Sequence, residues 1–190
     1  MLISNSSDST FKIWDMSKNS KLPLNCFYDS DSAIVSADFR QADNIHICLN
    51  EDGNVYIRNI LNEKEFKKIK VSKSNFNFIK FNALNKNQFF LSSEDSFKIY
   101  DIKEGREIDS IKAFANCVDI LLDSNNFLVT FPDSIRRYAR NSYNFNETEK
   151  VIFESEEISF SNVCFYNEKF DYLIAGNNNG DLIYMTYNSK

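Results

Sequence analysis

His46 is the one histidine in this chain of 190 residues, and it decides which acid–base chemistry the sequence could support. A Ser/His/Asp or Cys/His catalytic set would need this residue as its base. In Ile45-His46-Ile47 it alternates with apolar side chains, so we expect a partly exposed strand residue rather than a catalytic base. The sequence contains no G-x-S-x-G, H-E-x-x-H or glycine-rich phosphate-binding motif. These observations predict a protein that is not an enzyme and that binds no cofactor.

The four cysteines do not follow a metal-binding pattern. No two of them are spaced as C-x-x-C, and one histidine cannot complete a Cys/His zinc set. Each one sits among apolar residues, which is typical of small buried thiols in a reducing compartment. We therefore predict buried, reduced cysteines and no metal site. The four residues are Cys26, Cys48, Cys117 and Cys164.

The charge balance argues against a protein built to bind nucleic acid. Lys and Arg number 22 against 27 for Asp and Glu, a net charge of −5, whereas nucleic-acid-binding domains usually carry a basic surface. Two short basic groups could still contact RNA, although we interpret them first as strand positions that face solvent. Their members are Lys67, Lys68, Lys70, Arg136, Arg137 and Arg140.

Short apolar-rich segments recur along the chain at a regular interval. Their fourth residues are Trp14, Arg58, Tyr100, Tyr138 and Met185, which lie 44, 42, 38 and 47 residues apart. A period of about 40–45 residues is typical of the four-stranded blades of β-propellers. The segments are Phe11–Asp15, Val55–Asn59, Phe97–Asp101, Ile135–Ala139 and Leu182–Thr186.

A polar turn precedes each repeated segment. Asp, Asn, Ser and Gly suit tight hairpins because they tolerate positive φ or bond their own backbone. Four aspartates of these turns recur once per repeat, so we assign them to hairpin structure rather than to a metal site. They are Asp8, Asp52, Asp95 and Asp133.

Apolar runs of four to eight residues stand before each turn, and most are preceded by a second run of the same kind. Such runs, rich in Phe, Ile and Val, favour strand over helix. No segment shows a sustained helical stripe bounded by caps. The pattern therefore predicts an all-β chain.

The segment Ser7-Asp8-Ser9-Thr10-Phe11-Lys12-Ile13-Trp14-Asp15 resembles the WD-repeat family of β-propellers. Ser93–Asp101 is the next most similar, with Tyr100 in place of the tryptophan. The resemblance extends from Leu2 to about Tyr187. No repeat has the Gly-His pair of the family, so its Asp–His–Ser–Trp hydrogen-bond network cannot form in full.

We predict a single β-propeller domain over residues 1–190, with about five four-stranded blades of which the first and last are incomplete. Strand counting gives 3, 4, 4, 4 and 3 strands. Incomplete terminal blades leave open sheet edges and apolar faces. We expect another protein, a second copy or the rest of a longer propeller to cover them. The predicted blades are approximately 2–29, 33–72, 76–114, 116–155 and 159–187.

The resemblance implies a rigid platform whose loops bind partners, so our leading hypothesis is a non-catalytic scaffold subunit of a multiprotein complex. The alternative is an RNA-associated WD-repeat subunit in ribosome assembly or RNA processing, and a propeller-type hydrolase is a lesser one. Candidate partner contacts on the loops between blades are Tyr28, Asp29, Asp31, Lys73, Asn75, Phe114, Glu154 and Glu156.

The chain has no apolar stretch of 18 residues, and its N-terminus lacks the features of a secretory signal. We therefore expect no membrane contact and a cytoplasmic or nuclear location.

Overall fold

The computed structural model describes residues 2–18, 21–28, 30–62, 65–71, 75–82, 85–93, 95–112, 119–122, 126–139, 150–154, 159–165 and 172–186. In this part of the chain the secondary structure consists of 18 β-strands, without a helix. The all-β prediction is confirmed. The strands are β1 (Leu2–Asn5), β2 (Phe11–Trp14), β3 (Asn25–Phe27), β4 (Ile34–Arg40), β5 (Ile45–Asn50), β6 (Asn54–Asn59), β7 (Phe66–Lys70), β8 (Phe76–Phe81), β9 (Gln88–Ser93), β10 (Ser96–Asp101), β11 (Glu107–Lys112), β12 (Asp119–Leu122), β13 (Asn126–Thr130), β14 (Ser134–Ala139), β15 (Lys150–Glu154), β16 (Phe160–Phe165), β17 (Tyr172–Asn177) and β18 (Leu182–Thr186).

Five antiparallel meanders contain these strands in chain order. Sheet I is β1–β3, sheet II is β4–β7, sheet III is β8–β11, sheet IV is β12–β15 and sheet V is β16–β18. The chain divides into two compact units, Met1–Ser93 with Lys98–Ile108 and Glu94–Phe97 with Asp109–Lys190. The predicted four-stranded antiparallel sheets are confirmed, and the single domain over 1–190 stays a prediction.

The repeat is visible in the backbone as well as in the strand order. The first strands of sheets II, III and V each change register near their start, at Ile34/Ser36, Phe76/Phe78 and Phe160/Asn162. A bulge of this kind inserts one residue and increases the local twist. Three sheets therefore share one local geometry, as expected of a structural repeat.

In the first unit, sheet II is buried on both faces. One face packs on sheet I, where Cys48 and Tyr56 join a core with Phe11 and Ile13. The opposite face packs on sheet III, where Ile47 joins a core with residues such as Ile79 and Phe89. Burial on both faces explains why the central strands β5 and β6 carry apolar side chains on both faces.

The first strands of sheets II and III are also joined by side chains. Ser36 Oγ accepts a hydrogen bond from the Ile79 backbone N–H at 3.1 Å, and Asp38 Oδ2 accepts one from the Phe81 N–H at 2.9 Å. These bonds satisfy backbone donors at a sheet edge, which would otherwise be costly to leave unpaired.

In the second unit, sheets IV and V share a separate core. Leu128 and Ile135 of sheet IV pack with Val163, Leu173 and Ala175 of sheet V. The register of β17 with its neighbours places these last three side chains on one face. The opposite face of sheet V carries Cys164, Ile174 and Tyr184, which are opposed in register.

The hairpin turns use more than one type of side-chain cap. Asp8 Oδ1 accepts from the Thr10 backbone N–H at 3.0 Å and from its hydroxyl at 2.6 Å. These bonds lower the pKa of Asp8, because they favour the carboxylate. In the turn that contains Asp52, Asn50 Oδ1 instead accepts from the Asn54 N–H at 2.8 Å. Asp95 lies at the β9–β10 turn, and Asp133 Oδ1 accepts from the Ser134 hydroxyl at 2.9 Å.

The cysteine prediction is wrong for one of the described thiols. Cys48 is buried between sheets I and II and Cys26 is half-buried, but Cys164 is exposed. Its apolar neighbour in sequence, Val163, occupies the adjacent strand position and is buried, because adjacent positions point to opposite faces of a sheet. Cys117 lies outside the described residues.

Candidate functional site

The best-defined charged cluster lies beside the connection between sheets I and II. Asp31 of this connection accepts hydrogen bonds from the Tyr56 hydroxyl at 3.1 Å and the Lys68 ammonium at 2.6 Å. Tyr56 and Lys68 lie opposite each other on β6 and β7. The Lys68 ammonium also lies 5.1 Å from the centre of the Tyr56 ring, within cation–π range. Two strands of sheet II therefore anchor the connection through one carboxylate.

These contacts favour the charged forms of both ionisable partners. The Lys68 ammonium and then the Tyr56 hydroxyl lower the pKa of Asp31. Conversely, the hydrogen bond to Asp31 is the main cause that raises the pKa of Lys68. Because both groups are exposed to solvent, the pair positions the connection more than it stabilises the fold.

Tyr28 lies on the same connection and is 76% exposed. The hydrogen bond with the neighbouring Cys26 side chain raises the pKa of its hydroxyl, because that bond favours the protonated form. Tyrosine presents a large apolar ring with a polar end, which makes it frequent among the residues that dominate protein interfaces. The connection that Asp31 anchors therefore also exposes one aromatic side chain.

A second set of aromatic contacts links β3, the strand before this connection, to sheet II. The Arg58 guanidinium lies 5.2 Å from the Phe27 ring of sheet I and 5.0 Å from the Phe66 ring of sheet II. Phe27 stacks in turn on Phe11 at 4.6 Å. A planar cation between two rings packs well against both. These contacts join β3, which leads into the connection, to sheet II.

The remaining predicted partner contacts are dispersed. Asn75 is exposed directly before β8, and Glu154 is exposed at the end of β15, where it lies opposite Ser134. Tyr28 and Asp31 share the connection between β3 and β4. Asp29, Lys73, Phe114 and Glu156 lie outside the described residues.

The three lysines proposed as RNA contacts all have partners within the chain. Lys67 Nζ donates to the backbone carbonyls of Ile102 and Lys103, each at 2.5 Å. Lys70 Nζ donates to the Asp52 carbonyl at 2.7 Å, and Lys68 binds Asp31 as described. Contact with a phosphate would have to compete with these bonds. The RNA-binding role of this basic run stays a prediction.

The second basic group lies on β14. Arg136 Nε donates to Ser134 Oγ at 3.0 Å, and its guanidinium lies 5.4 Å from the Phe131 ring. Arg137 is half-buried and lies opposite Leu128. Arg140 lies outside the described residues. The alternation along the strand places Arg136 and Arg137 on opposite faces.

The expectation that His46 is partly exposed is wrong. This residue is 1% exposed, because the face of sheet II that carries it is covered by sheet I. Its ring stacks on Phe11 at 4.0 Å, and Nε2 lies 2.8 Å from Asn5 Oδ1. Burial and, to a lesser extent, the Arg58 charge lower the pKa of His46 to about 3. A buried neutral imidazole with these neighbours is a packing element, and a catalytic base would have to reach a substrate.

Sheet I contains one hydrogen bond of the Asp–His–Ser–Trp network described in the sequence analysis, the bond between tryptophan and serine. The Trp14 indole N–H donates to Ser4 Oγ at 2.9 Å across the β1–β2 pair. The turn aspartate, Asp8, bonds within its own turn rather than to a histidine. Within the described residues no group of three His, Cys, Asp or Glu side chains could hold a metal ion. Nor does the described part of the chain contain a helix long and apolar enough to cross a membrane.

Comparisons with known proteins identify the fold but no family. No family model matches the chain, and no curated protein matches it in sequence. Solved structures do resemble it. A chain from the crystal structure of the mitotic checkpoint complex superposes with a TM-score of 0.76 at 10% identity, over 97% of this chain and 58% of that one.

Two computationally designed proteins are also similar. Ika8 superposes with a TM-score of 0.68 at 16% identity, over 97% of this chain and 55% of that one. Ika4 gives a TM-score of 0.61 at 14% identity, over 84% of this chain and 94% of that one. The chain thus spans little more than half the length of Ika8 and of the checkpoint chain. At these identities the likeness concerns the fold alone, and it supports a propeller-like arrangement of antiparallel sheets.

Proposed function

We propose that this protein is a non-catalytic interaction scaffold, built from WD-repeat-like propeller blades, that serves as a subunit of a protein complex. The observation that carries the proposal is the anchored connection between sheets I and II. Asp31 is held by two strands of sheet II, while Tyr28 on the same connection stays 76% exposed. A tyrosine side chain supplies a large contact area at a low cost in conformational entropy, which favours affinity.

The positions of the ionisable groups support binding rather than catalysis. His46 is buried against Phe11 of sheet I, and the described acidic groups with lowered pKa values are engaged in turns or ion pairs. A partner that docks beside Tyr28 would meet the Asp31 carboxylate and the Lys68 ammonium at its rim. Such rim charges set orientation and association rate more than affinity.

Capture of partners from an extract of the native source tests this proposal. The tagged wild-type chain and a Tyr28→Ala variant are compared by quantitative mass spectrometry. We expect at least one protein to be captured in stoichiometric amount by the wild type and depleted at least tenfold with the variant, as for an interface hot spot.

Leu61→Ala is the matched control, because Leu61 is equally exposed, at 76%, but lies in the connection between β6 and β7. It should leave capture unchanged. Equal capture by all three proteins would refute the role of Tyr28. Enrichment of RNA that disappears with salt and with Lys67→Gln/Lys70→Gln would instead favour the RNA-associated alternative.

A further inference from the structure

One face of sheet V is apolar and open to solvent. Cys164, Ile174 and Tyr184 lie opposite one another on this face, which Tyr172 and Leu182 extend. Leu182 is 79% exposed and Tyr184 is 55% exposed. The Tyr172 and Tyr184 rings stack on each other with centres 5.2 Å apart. The opposite face is buried in the core shared with sheet IV.

In sheet II, the face equivalent to this open face is covered by another sheet. Asn50 and Asn177 close equivalent hairpins, because each accepts a hydrogen bond at 2.8 Å from the backbone N–H four residues later. Counted from these turns, Leu182 corresponds to Val55 and Tyr184 to Ile57. Val55 and Ile57 are 0% and 7% exposed, because they pack on sheet III. The open face of sheet V is therefore the kind of face that receives the following sheet.

Sheet I has the complementary kind of face. Leu2, Ser4, Lys12 and Trp14 point away from sheet II, since the alternate residues Ile3, Phe11 and Ile13 pack on it. The equivalent side of sheet II, which carries Cys48 and Tyr56, is the one that packs on the sheet before it. Leu2 is 50% exposed. Sheet I thus presents an open face of the kind that packs on a preceding sheet.

We propose that two copies of this chain associate head to tail, with the open face of sheet V of one copy packed on the open face of sheet I of the other. The chemistry of the two faces is complementary. The Lys12 ammonium and the Trp14 ring supply a cation and an aromatic surface for the stacked pair Tyr172 and Tyr184. Sheets I and II pack in the same way within the chain. There, one face of the earlier sheet packs on the opposite type of face of the later sheet. Such an interface joins unlike surfaces and is heterologous.

Two variants and their mixture test this arrangement by sedimentation equilibrium. The double variant Leu182→Lys/Tyr184→Lys places charges on the open face of sheet V. The double variant Leu2→Lys/Trp14→Lys does the same on the open face of sheet I. We expect the wild type to self-associate and each variant alone to be monomeric at about 100 µM, a concentration that detects even weak complexes. Mixed in equal amounts, the two variants should form a one-to-one dimer, because each retains the face that the other has lost.

Leu61→Lys is the matched control and should associate like the wild type, because this exposed leucine lies on neither face. Circular dichroism of each variant verifies that the strands are intact. If Trp14→Lys disturbs sheet I, Leu2→Lys alone replaces the second variant. A monomeric wild type, or association that survives in both variants, would overturn the proposal. Failure of the mixed variants to pair would overturn its head-to-tail form. None of these outcomes depends on whether Tyr28 contributes to the capture of a partner protein.

Discussion

The buried histidine makes a quantitative prediction about acid stability. In the folded protein the pKa of His46 is lowered to about 3, chiefly by burial, whereas the unfolded chain should titrate near the ordinary value of 6.5. Between these values the unfolded state binds one proton more than the folded state. The contribution of neutral His46 to the free energy of unfolding is therefore fully present above pH 6.5, and it decreases as the pH drops towards 3.

The size of the effect follows from the same two values. One pKa unit corresponds to about 1.4 kcal/mol, so acidification from pH 6.5 to pH 4 should remove about 3 kcal/mol through His46 alone. Turn and ion-pair carboxylates such as Asp8 and Asp31, whose pKa values are lowered, lose their contributions at still lower pH. A His46→Gln variant keeps an amide to face Asn5 but cannot titrate. Its comparison with the wild type therefore isolates the contribution of His46 to the pH dependence of the unfolding free energy.

Urea unfolding of the wild type and His46→Gln at several pH values is the assay. We expect the stability difference between them to shrink by about 3 kcal/mol from pH 7 to pH 4. Because the chain has one histidine, its ring proton also gives a single, unambiguous NMR titration. That signal should stay constant from pH 8 to pH 5 in the folded protein. A titration with a midpoint near 6.5, or a stability difference independent of pH, would refute the reasoning.

Three further predictions concern burial and backbone geometry. Thiol labelling of the folded protein, at a dilution where the proposed self-association is absent, should modify Cys164 rapidly and Cys48 only on unfolding; equal rates would contradict the assignment of their faces. Phe11→Ala should cost about 3–5 kcal/mol of unfolding free energy, since this ring is buried against Phe27 and His46, and a loss below about 1 kcal/mol would count against that core. Gly180→Ala should cost about 1 kcal/mol in the same measurement, because φ is +86° there while no atom lies within 4 Å of the added Cβ; an unchanged stability would show that the turn adjusts.

Local features of this chain were predictable because their causes are local. Alternating and continuous apolar runs located strands close to their observed limits, as for β16 at Phe160–Phe165. The polar turns between them follow from residues that accept positive φ or bond their own backbone, as Asp8 does. The interval between repeated segments then indicated how many strands each sheet would contain.

The environment of single side chains was less predictable, because it depends on the covering sheet. His46 and Cys164 both stand in alternating strand patterns, yet one is buried and the other exposed. Alternation specifies which side chains share a face, but both faces of sheet II are covered, whereas one face of sheet V is open. The pairing of Asp31 with Lys68, 37 residues later, has no counterpart in any local pattern.

By itself, then, the sequence determined the all-β class, the approximate limits of the inner strands and the repeated hairpins, since these depend on residues a few positions apart. Only the tertiary structure decided which faces are buried, how the connection with Tyr28 is anchored, and that the ammonium groups of Lys67 and Lys70 bind backbone carbonyls. The physical reason is that desolvation, ion pairing and packing depend on distance in space. Residues far apart in the chain meet only after the sheets have stacked.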